Sequence, residues 1–234
     1  MIFDKDKRFI FVHNPRTGGT SIRKVLEPYQ DPHMHKELHN KIKNTNFVRI
    51  HGAVPEHAAV SIFSDHIRNQ YKYIFTCVRN PFSRMYSYCQ KIHQQDKEFR
   101  KMLSLGHPPA RTTDVEYLQK YPTTPPSVAE IIDHRYGLWS SQYIAGRYSS
   151  LVTFPYAFWT FGTHEVVRFE DLQEPGEWEK LMHKCGIEDV PSRPHENRSY
   201  KDNLLEYRDS YTDNMRKKVQ TMFQKEIETY GYEF

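Results

Sequence analysis

The stretch "FVHNPRTGGTSI", residues 11–22, runs from an apolar segment through a proline and two adjacent glycines into residues that can begin a helix. The segment "RFIFVH", residues 8–13, overlaps the start of this stretch and is rich in β-branched and aromatic side chains, which favours a strand. Glycines let a ligand approach the backbone, and the amides at a helix start attract an anion. Strand, loop and helix in this order therefore predict an α/β fold with a phosphate-binding loop.

The loop lacks the lysine of an ordinary nucleotide-binding loop. In the pattern G-x-x-x-x-G-K-[ST], a lysine precedes the hydroxyl residue and a later acidic residue helps to hold magnesium. Here Gly19 precedes Thr20, and Asn14 stands four residues before Gly18. The pattern disfavours hydrolysis of a nucleoside triphosphate, and a small-molecule kinase remains an alternative that would need magnesium.

A second loop, "CVRNPFSRMYSYC", residues 77–89, follows the short apolar run 73–78. Arg79 leaves the end of this run, and Ser87 lies two helical turns further along the helix that Pro81 can begin. An arginine at a strand end suits a phosphate, which the serine hydroxyl can share. Arg84 is either a further phosphate ligand or a solvated, ion-paired helix residue. Two anion sites at neighbouring strand ends suggest one ligand with two separated phosphates.

Composition bounds the class of protein. The 234 residues, of which 38% are apolar and 26% charged, suit one globular domain, residues 1–234. A net charge of +4 is too small to indicate nucleic-acid binding but suits an anionic partner. Three cysteines without C-x-x-C spacing argue against a disulfide scaffold and a zinc site. No membrane-spanning run or signal peptide is recognisable, which predicts a cytoplasmic chain.

Periodicity predicts further elements along the chain. We expect strands at 47–50, 73–78 and 165–169, and helices over 20–26, 56–69, 177–185 and 211–230. Residues 30–46 read as an exposed excursion or a poorly packed helix, and the proline-rich segment 94–126 as a surface insertion that selects the substrate. Alternating strands and helices predict a P-loop-like, three-layer α/β/α fold with a mostly parallel sheet and ligands at the carboxyl ends of its strands.

Taken together, the two loops resemble those of the sulfotransferases that use 3′-phosphoadenosine 5′-phosphosulfate (PAPS), and most closely the carbohydrate branch of the heparan and chondroitin type. "FVHNPRTGGTSI" is similar to the 5′-phosphosulfate loop of that family, and "FTCVRNPFSRMYSYC" to its 3′-phosphate motif. Weaker similarity continues in "VVRFEDL", residues 166–172, in "PHENRS", residues 194–199, and in the closing "YGYEF".

The resemblance implies roles for individual residues. It assigns the 5′-phosphosulfate to Arg16, Thr17, Gly18, Gly19, Thr20 and Ser21, and the 3′-phosphate to Arg79 and Ser87. Arg16 would also be catalytic, as the cation that stabilises the developing charge. The family generally has lysine there, whereas a guanidinium stays charged and only donates hydrogen bonds. No metal is implied.

The resemblance further implies a histidine base and a hydroxyl acceptor on a carbohydrate. His51 is the expected base, with His57 in reserve and Glu56 as a weaker candidate. His57, Trp139 and Arg198 are candidates for binding the acceptor. A module that keeps the fold and captures anions without chemistry is the second alternative. The histidines at 33, 35 and 39 are read as chance members of a polar segment, not as a metal site.

Overall fold

Four short strands form one sheet in the computed structural model, which describes residues 1–43, 55–91, 154–194 and 207–234. They are β1 (Ile2–Phe3), β2 (Phe9–Val12), β3 (Tyr73–Val78) and β4 (Glu165–Arg168), in the spatial order β1-β2-β3-β4. β2 and β3 are parallel, as are β3 and β4, whereas β1 is antiparallel to β2. The sheet is therefore mostly parallel, as the sequence predicts.

Helices follow the strands in the described ranges. They are α1 (Gly19–Leu26), α2 (Pro32–Lys43), α3 (Asp65–Arg68), α4 (residues 81–91), α5 (Ala157–Thr160), α6 (Glu177–Lys184), α7 (Asp213–Met222) and α8 (Gln224–Tyr230). The strands predicted at 73–78 and 165–169 and the helices predicted at 20–26 and 177–185 are confirmed to within a residue. Gly186, with φ 71°, ends α6 as expected of a C-cap glycine.

Both faces of the sheet are covered, because every residue of β2 is buried and successive side chains point to opposite sides. On one face, Ile10 and Val12 pack in a cluster with α2 and Trp159. On the other, Phe9 and Phe11 pack with α1 and α6. The three-layer α/β/α prediction is confirmed. None of the helices in the described ranges combines the length and the apolar composition that a membrane span requires.

Three predictions of local structure differ from what is found. A helix over 56–69 is wrong: the chain is extended at Ala59 and Phe63 and forms short turns before α3, so that its apolar residues enter the core through an irregular path. One long helix at 211–230 is wrong, because Phe223 (φ −114°, ψ 26°) separates α7 from α8. The segment after residue 30 is well packed, since α2 buries Met34, Leu38 and Ile42.

The predicted strand at 47–50 and the insertion at 94–126 lie outside the described residues, and the single-domain organisation stays a prediction.

Candidate functional site

Two segments at the carboxyl ends of neighbouring strands form the site. The first loop, residues 14–18, follows β2, and the arginine segment, residues 79–84, follows β3. Val12 pairs with Thr76 in the parallel register, so both segments leave the same edge of the sheet. This is the edge at which open α/β sheets bind ligands.

The first loop takes its shape from two left-handed residues and two tight contacts. Arg16 has φ 65° and Gly18 φ 78°. A Cβ atom on Gly18 would lie 2.3 Å from the ring of Phe169, and one on Gly19 would lie 2.1 Å from Cδ2 of His13. Since real Cβ atoms do not approach other atoms so closely, both glycines are required by their neighbours, and Gly18 is required by its left-handed backbone as well.

Hydrogen bonds inside the first loop use groups that were expected to meet a phosphate. The Thr17 hydroxyl donates to the Asn14 carbonyl at 2.8 Å, and the Ser21 amide donates to the Gly18 carbonyl at 3.1 Å. Thr17 is fully buried, whereas Thr20 is exposed. The loop thus braces itself through Thr17 and presents the start of α1 to a ligand.

Arg16 reaches from the first loop to α4. Its Nη2 donates to both the carbonyl and the hydroxyl oxygen of Ser87, each at 2.7 Å. Burial, together with the nearby charge of Arg79, lowers the pKa of Arg16 to about 10. Arg79 itself donates from Nε to the Ser83 hydroxyl at 2.7 Å. The structure therefore brings Arg16, Arg79 and Ser87 together as the sequence suggests, but it pairs Ser87 with Arg16 and Arg79 with Ser83.

Arg193 joins this group, although the sequence did not single it out. Its guanidinium lies 5.3 Å from the centre of the Phe169 ring, and that of Arg79 lies 4.8 Å from the same ring. Arg193 donates to the Leu172 carbonyl, while its buried Nε has no hydrogen-bond partner among the described residues. Burial lowers the pKa of both arginines. Phe169 is thus a platform that touches Gly18 and carries two guanidinium groups.

Arg84, a residue of α4, supports the first loop through hydrogen bonds. It is only 1% exposed, and it donates from Nε to the Pro15 carbonyl at 3.2 Å and from Nη2 to Asn14 Oδ1 at 3.1 Å. The alternative of a solvated, ion-paired helix residue is therefore wrong, and phosphate binding by Arg84 stays a prediction. Because α4 packs its apolar face on α7, Arg84 links the first loop to the body of the protein.

The balance of charge at this edge is positive. Within the described ranges, none of Arg16, Arg79, Arg84 and Arg193 forms an ion pair with an acidic residue. Glu170 is the acid that acts most strongly on Arg79; it accepts from the Asn80 amide at 2.9 Å, and burial raises its pKa. Partly buried cations without counter-ions are costly, so the arrangement suits an anionic ligand.

Two histidines lie beside the first loop. His57 Nδ1 donates to the His13 carbonyl at 3.0 Å, and the rings are 4.4 Å apart. Burial lowers the pKa of His57 to about 4. One nitrogen of each ring and a Glu56 oxygen lie within 4.8 Å of one another, a donor set that can hold a divalent cation. The Glu56 carboxylate, however, pairs with Arg23. The absence of a metal stays a prediction.

Other predicted site residues, His51, Trp139 and Arg198, lie outside the described residues. The partners that sequence reasoning missed are Phe169, Glu170, Arg193 and Tyr156. Phe169 and Glu170 lie in the stretch "VVRFEDL", which resembles the family but assigns no function to either residue. Arg193 directly precedes "PHENRS", which also resembles the family. No motif in the sequence points to Tyr156, whose hydroxyl donates to the Arg79 carbonyl.

Comparison with known proteins agrees with this geometry. A model of the Sulfotransferase family matches residues 1–136, which is more than half of the 234 residues and includes both the first loop and the arginine segment. No curated protein and no solved structure gives a match. Because this match covers more than half of the chain, the chain belongs to the sulfotransferase family, and its general activity is sulfuryl transfer.

Proposed function

We propose that the chain transfers the sulfuryl group of PAPS to a hydroxyl of a carbohydrate. The observation that carries the proposal is a group of arginines at this edge of the sheet, Arg16, Arg79, Arg84 and Arg193, which form no ion pair with an acidic residue of the described ranges. PAPS has negative charge at two ends, the 5′-phosphosulfate and the 3′-phosphate. A ligand with two anionic ends matches a site with cations on two separate segments.

The first loop, with Arg16 and the start of α1, takes the 5′-phosphosulfate in this proposal. Arg79 and Ser87 take the 3′-phosphate. The contact between Arg16 and Ser87 supports the assignment, because it holds the first loop against α4, the helix in which the arginine segment ends. Arg193 adds positive charge to this part of the site, because its guanidinium lies against the same Phe169 ring as that of Arg79.

Transfer requires that the acceptor oxygen attack sulfur while the bond from sulfur to the 5′-phosphate oxygen breaks. The acceptor proton leaves to a base, and negative charge accumulates on the departing phosphate. Fixed cations stabilise such a loose transition state without reorganising. Arg16 stabilises the leaving phosphate by charge and hydrogen bonds. The proposal gives it no proton transfer, since a guanidinium with a pKa of about 10 stays protonated at neutral pH.

A melting experiment tests the donor. Adenosine 3′,5′-bisphosphate at 100 times its Kd is expected to stabilise the protein by about 2.7 kcal/mol, with a matching rise in Tm. ADP, which has no 3′-phosphate, is expected to raise Tm far less at the same concentration. Equal stabilisation by both nucleotides would contradict the assignment of Arg79 and Ser87.

The base is tested by separating turnover from binding. We propose His51 for this role, so His51→Ala is expected to abolish sulfuryl transfer from PAPS to oligosaccharide acceptors and to leave the nucleotide affinity within a factor of about 2. His57→Ala is the comparison, because His57 is the reserve candidate. Normal turnover in His51→Ala with loss in His57→Ala would move the role to His57. Phenolic acceptors in the same assay test the carbohydrate preference.

A further inference from the structure

Tyr156 is a buried tyrosine placed between the two anion-binding segments. It immediately precedes α5, and its side chain belongs to a residue that is only 1% exposed. Its hydroxyl donates a hydrogen bond to the backbone carbonyl of Arg79, and its own amide donates to Glu226 Oε1 at 3.3 Å. Tyr156 is therefore anchored on α8 at one end and reaches the end of β3 at the other.

The peptide unit between Arg79 and Asn80 is held from two sides. Its carbonyl oxygen accepts from Tyr156, and its N–H, that of Asn80, donates to Glu170 Oε1 at 2.9 Å. Fixing both polar groups of one peptide fixes its plane, because the peptide bond is planar. That plane sets the ψ angle of Arg79 and so the relation of its side chain to the chain that follows.

The ring of Tyr156 also contacts Arg84, the residue that supports the first loop. The Arg84 guanidinium lies 4.6 Å from the ring centre, and from there it donates to Pro15 and Asn14. Burial raises the pKa of the Tyr156 hydroxyl, so it remains a protonated donor at neutral pH. One side chain thus contacts the strand-end arginine through its hydroxyl and the brace of the first loop through its ring.

We propose that Tyr156 is a positioning residue that aims Arg79 at the 3′-phosphate of the nucleotide. The inference rests on the proposed function, in which Arg79 binds that phosphate. It assigns to the Tyr156 hydroxyl a part in selecting 3′-phosphorylated nucleotides over nucleotides that carry only a 5′-phosphate. A phosphate and a guanidinium form a directional pair, so a small rotation of the 79–80 peptide weakens their contact.

The chain offers a matched control for this hydroxyl. Tyr211 donates from its own hydroxyl to the carbonyl of Phe82 at 2.9 Å, three residues further along the arginine segment. Tyr156→Phe and Tyr211→Phe each remove one hydroxyl that bonds one backbone carbonyl of the same segment. Only the first of these carbonyls belongs to Arg79. General loosening of the segment would therefore affect both variants alike.

The experiment measures the affinities of adenosine 3′,5′-bisphosphate and AMP by titration calorimetry in the wild type and both variants. We expect the preference for the bisphosphate to fall about tenfold in Tyr156→Phe, the equivalent of roughly 1.4 kcal/mol, with AMP affinity within about twofold of wild type. Tyr211→Phe is expected to keep the wild-type preference. An unchanged preference in Tyr156→Phe would overturn the inference.

A second pair keeps the proposal testable if Tyr156→Phe folds poorly. Glu170→Gln removes the charge but keeps an oxygen for the Asn80 amide, whereas Glu170→Ala removes both. A lower preference in Glu170→Ala than in Glu170→Gln is expected, since only the former frees the 79–80 peptide; equal preferences would count against the inference. A wild type that binds both nucleotides equally would overturn the proposed function itself. A wild-type preference that survives in every variant would overturn only the inference about Tyr156.

Discussion

The first loop and the arginine segment sit side by side at one edge of the sheet, yet they are held in different ways. The first loop is shaped by close packing, with the ring of Phe169 against Gly18 and that of His13 against Gly19. The arginine segment is held by hydrogen bonds from distant residues, such as Glu170 and Tyr156. One segment depends on the absence of side-chain atoms, and the other on partners brought from elsewhere in the chain.

This difference has a physical consequence for mutation. A loop shaped by packing has no room for an added atom, so enlarging a glycine forces the backbone or a ring to move. A segment held by hydrogen bonds loses stability when a buried donor or acceptor loses its partner. The two segments should therefore respond to opposite kinds of substitution.

Adding a methyl group at Gly18 is expected to have the largest effect. Gly18→Ala combines a left-handed backbone, φ 78°, with a Cβ placed 2.3 Å from the Phe169 ring. The expected loss is about 2–4 kcal/mol in the free energy of unfolding, measured by urea denaturation, together with loss of nucleotide binding. Gly176→Ala is the control, since Gly176 has φ 83° but nothing within 4 Å of the added atom. It should cost only about 1 kcal/mol; similar losses in both variants would show that packing does not shape the loop.

Removing the Glu170 carboxylate, which accepts a hydrogen bond from the arginine segment, is expected to have the next largest effect. Glu170→Ala leaves the buried Asn80 amide without its partner at 2.9 Å. The expected loss is about 2 kcal/mol, whereas Glu170→Gln keeps an acceptor and should lose less than about 1 kcal/mol. Denaturation curves of the two variants, compared at equal m-values, measure the difference. If alanine and glutamine cost the same, the hydrogen bond does not hold the segment.

Sequence reasoning was most successful where the determinants are local. Strand β3 and the start of α1 follow from an apolar run and from paired glycines, which act within a few residues. The helix predicted over 56–69 failed because the core, not the 3.6-residue period, decides the path of Ala59 and Phe63. The single helix predicted over 211–230 failed at Phe223, whose backbone leaves the helical region while its side chain is buried in the same cluster as the apolar residues of α4.

The residues of the candidate site show the same difference between local and distant determinants. Arg16, Gly18 and Arg79 could be named from the sequence because each lies within a short, recognisable segment. Their partners could not, since Ser83 rather than Ser87 bonds Arg79, and Tyr156 comes from a region 77 residues away along the chain. Which hydroxyl meets which guanidinium depends on the side-chain geometry of α4, and spacing along a helix does not fix it.

Within the first loop, hydrogen bonding should matter least. Thr17→Val replaces the hydroxyl by a methyl group of similar size and removes the bond to the Asn14 carbonyl at 2.8 Å. We expect a loss of about 1 kcal/mol in the free energy of unfolding, because a buried carbonyl loses one donor while the packing on Gly18 and Gly19 is kept. Thr17→Ser is the control, as it keeps the hydroxyl.

The same variant separates two roles of Thr17. Its hydroxyl is used inside the loop, so any contact with a 5′-phosphate must come from the backbone amide, which valine retains. Affinity for adenosine 3′,5′-bisphosphate, measured by calorimetry, should therefore stay within about twofold of wild type. A loss tenfold or greater in Thr17→Val, absent from Thr17→Ser, would mean that the hydroxyl turns to the ligand on binding. In that case nucleotide binding by the first loop would depend on a side-chain hydroxyl as well as on the backbone amides.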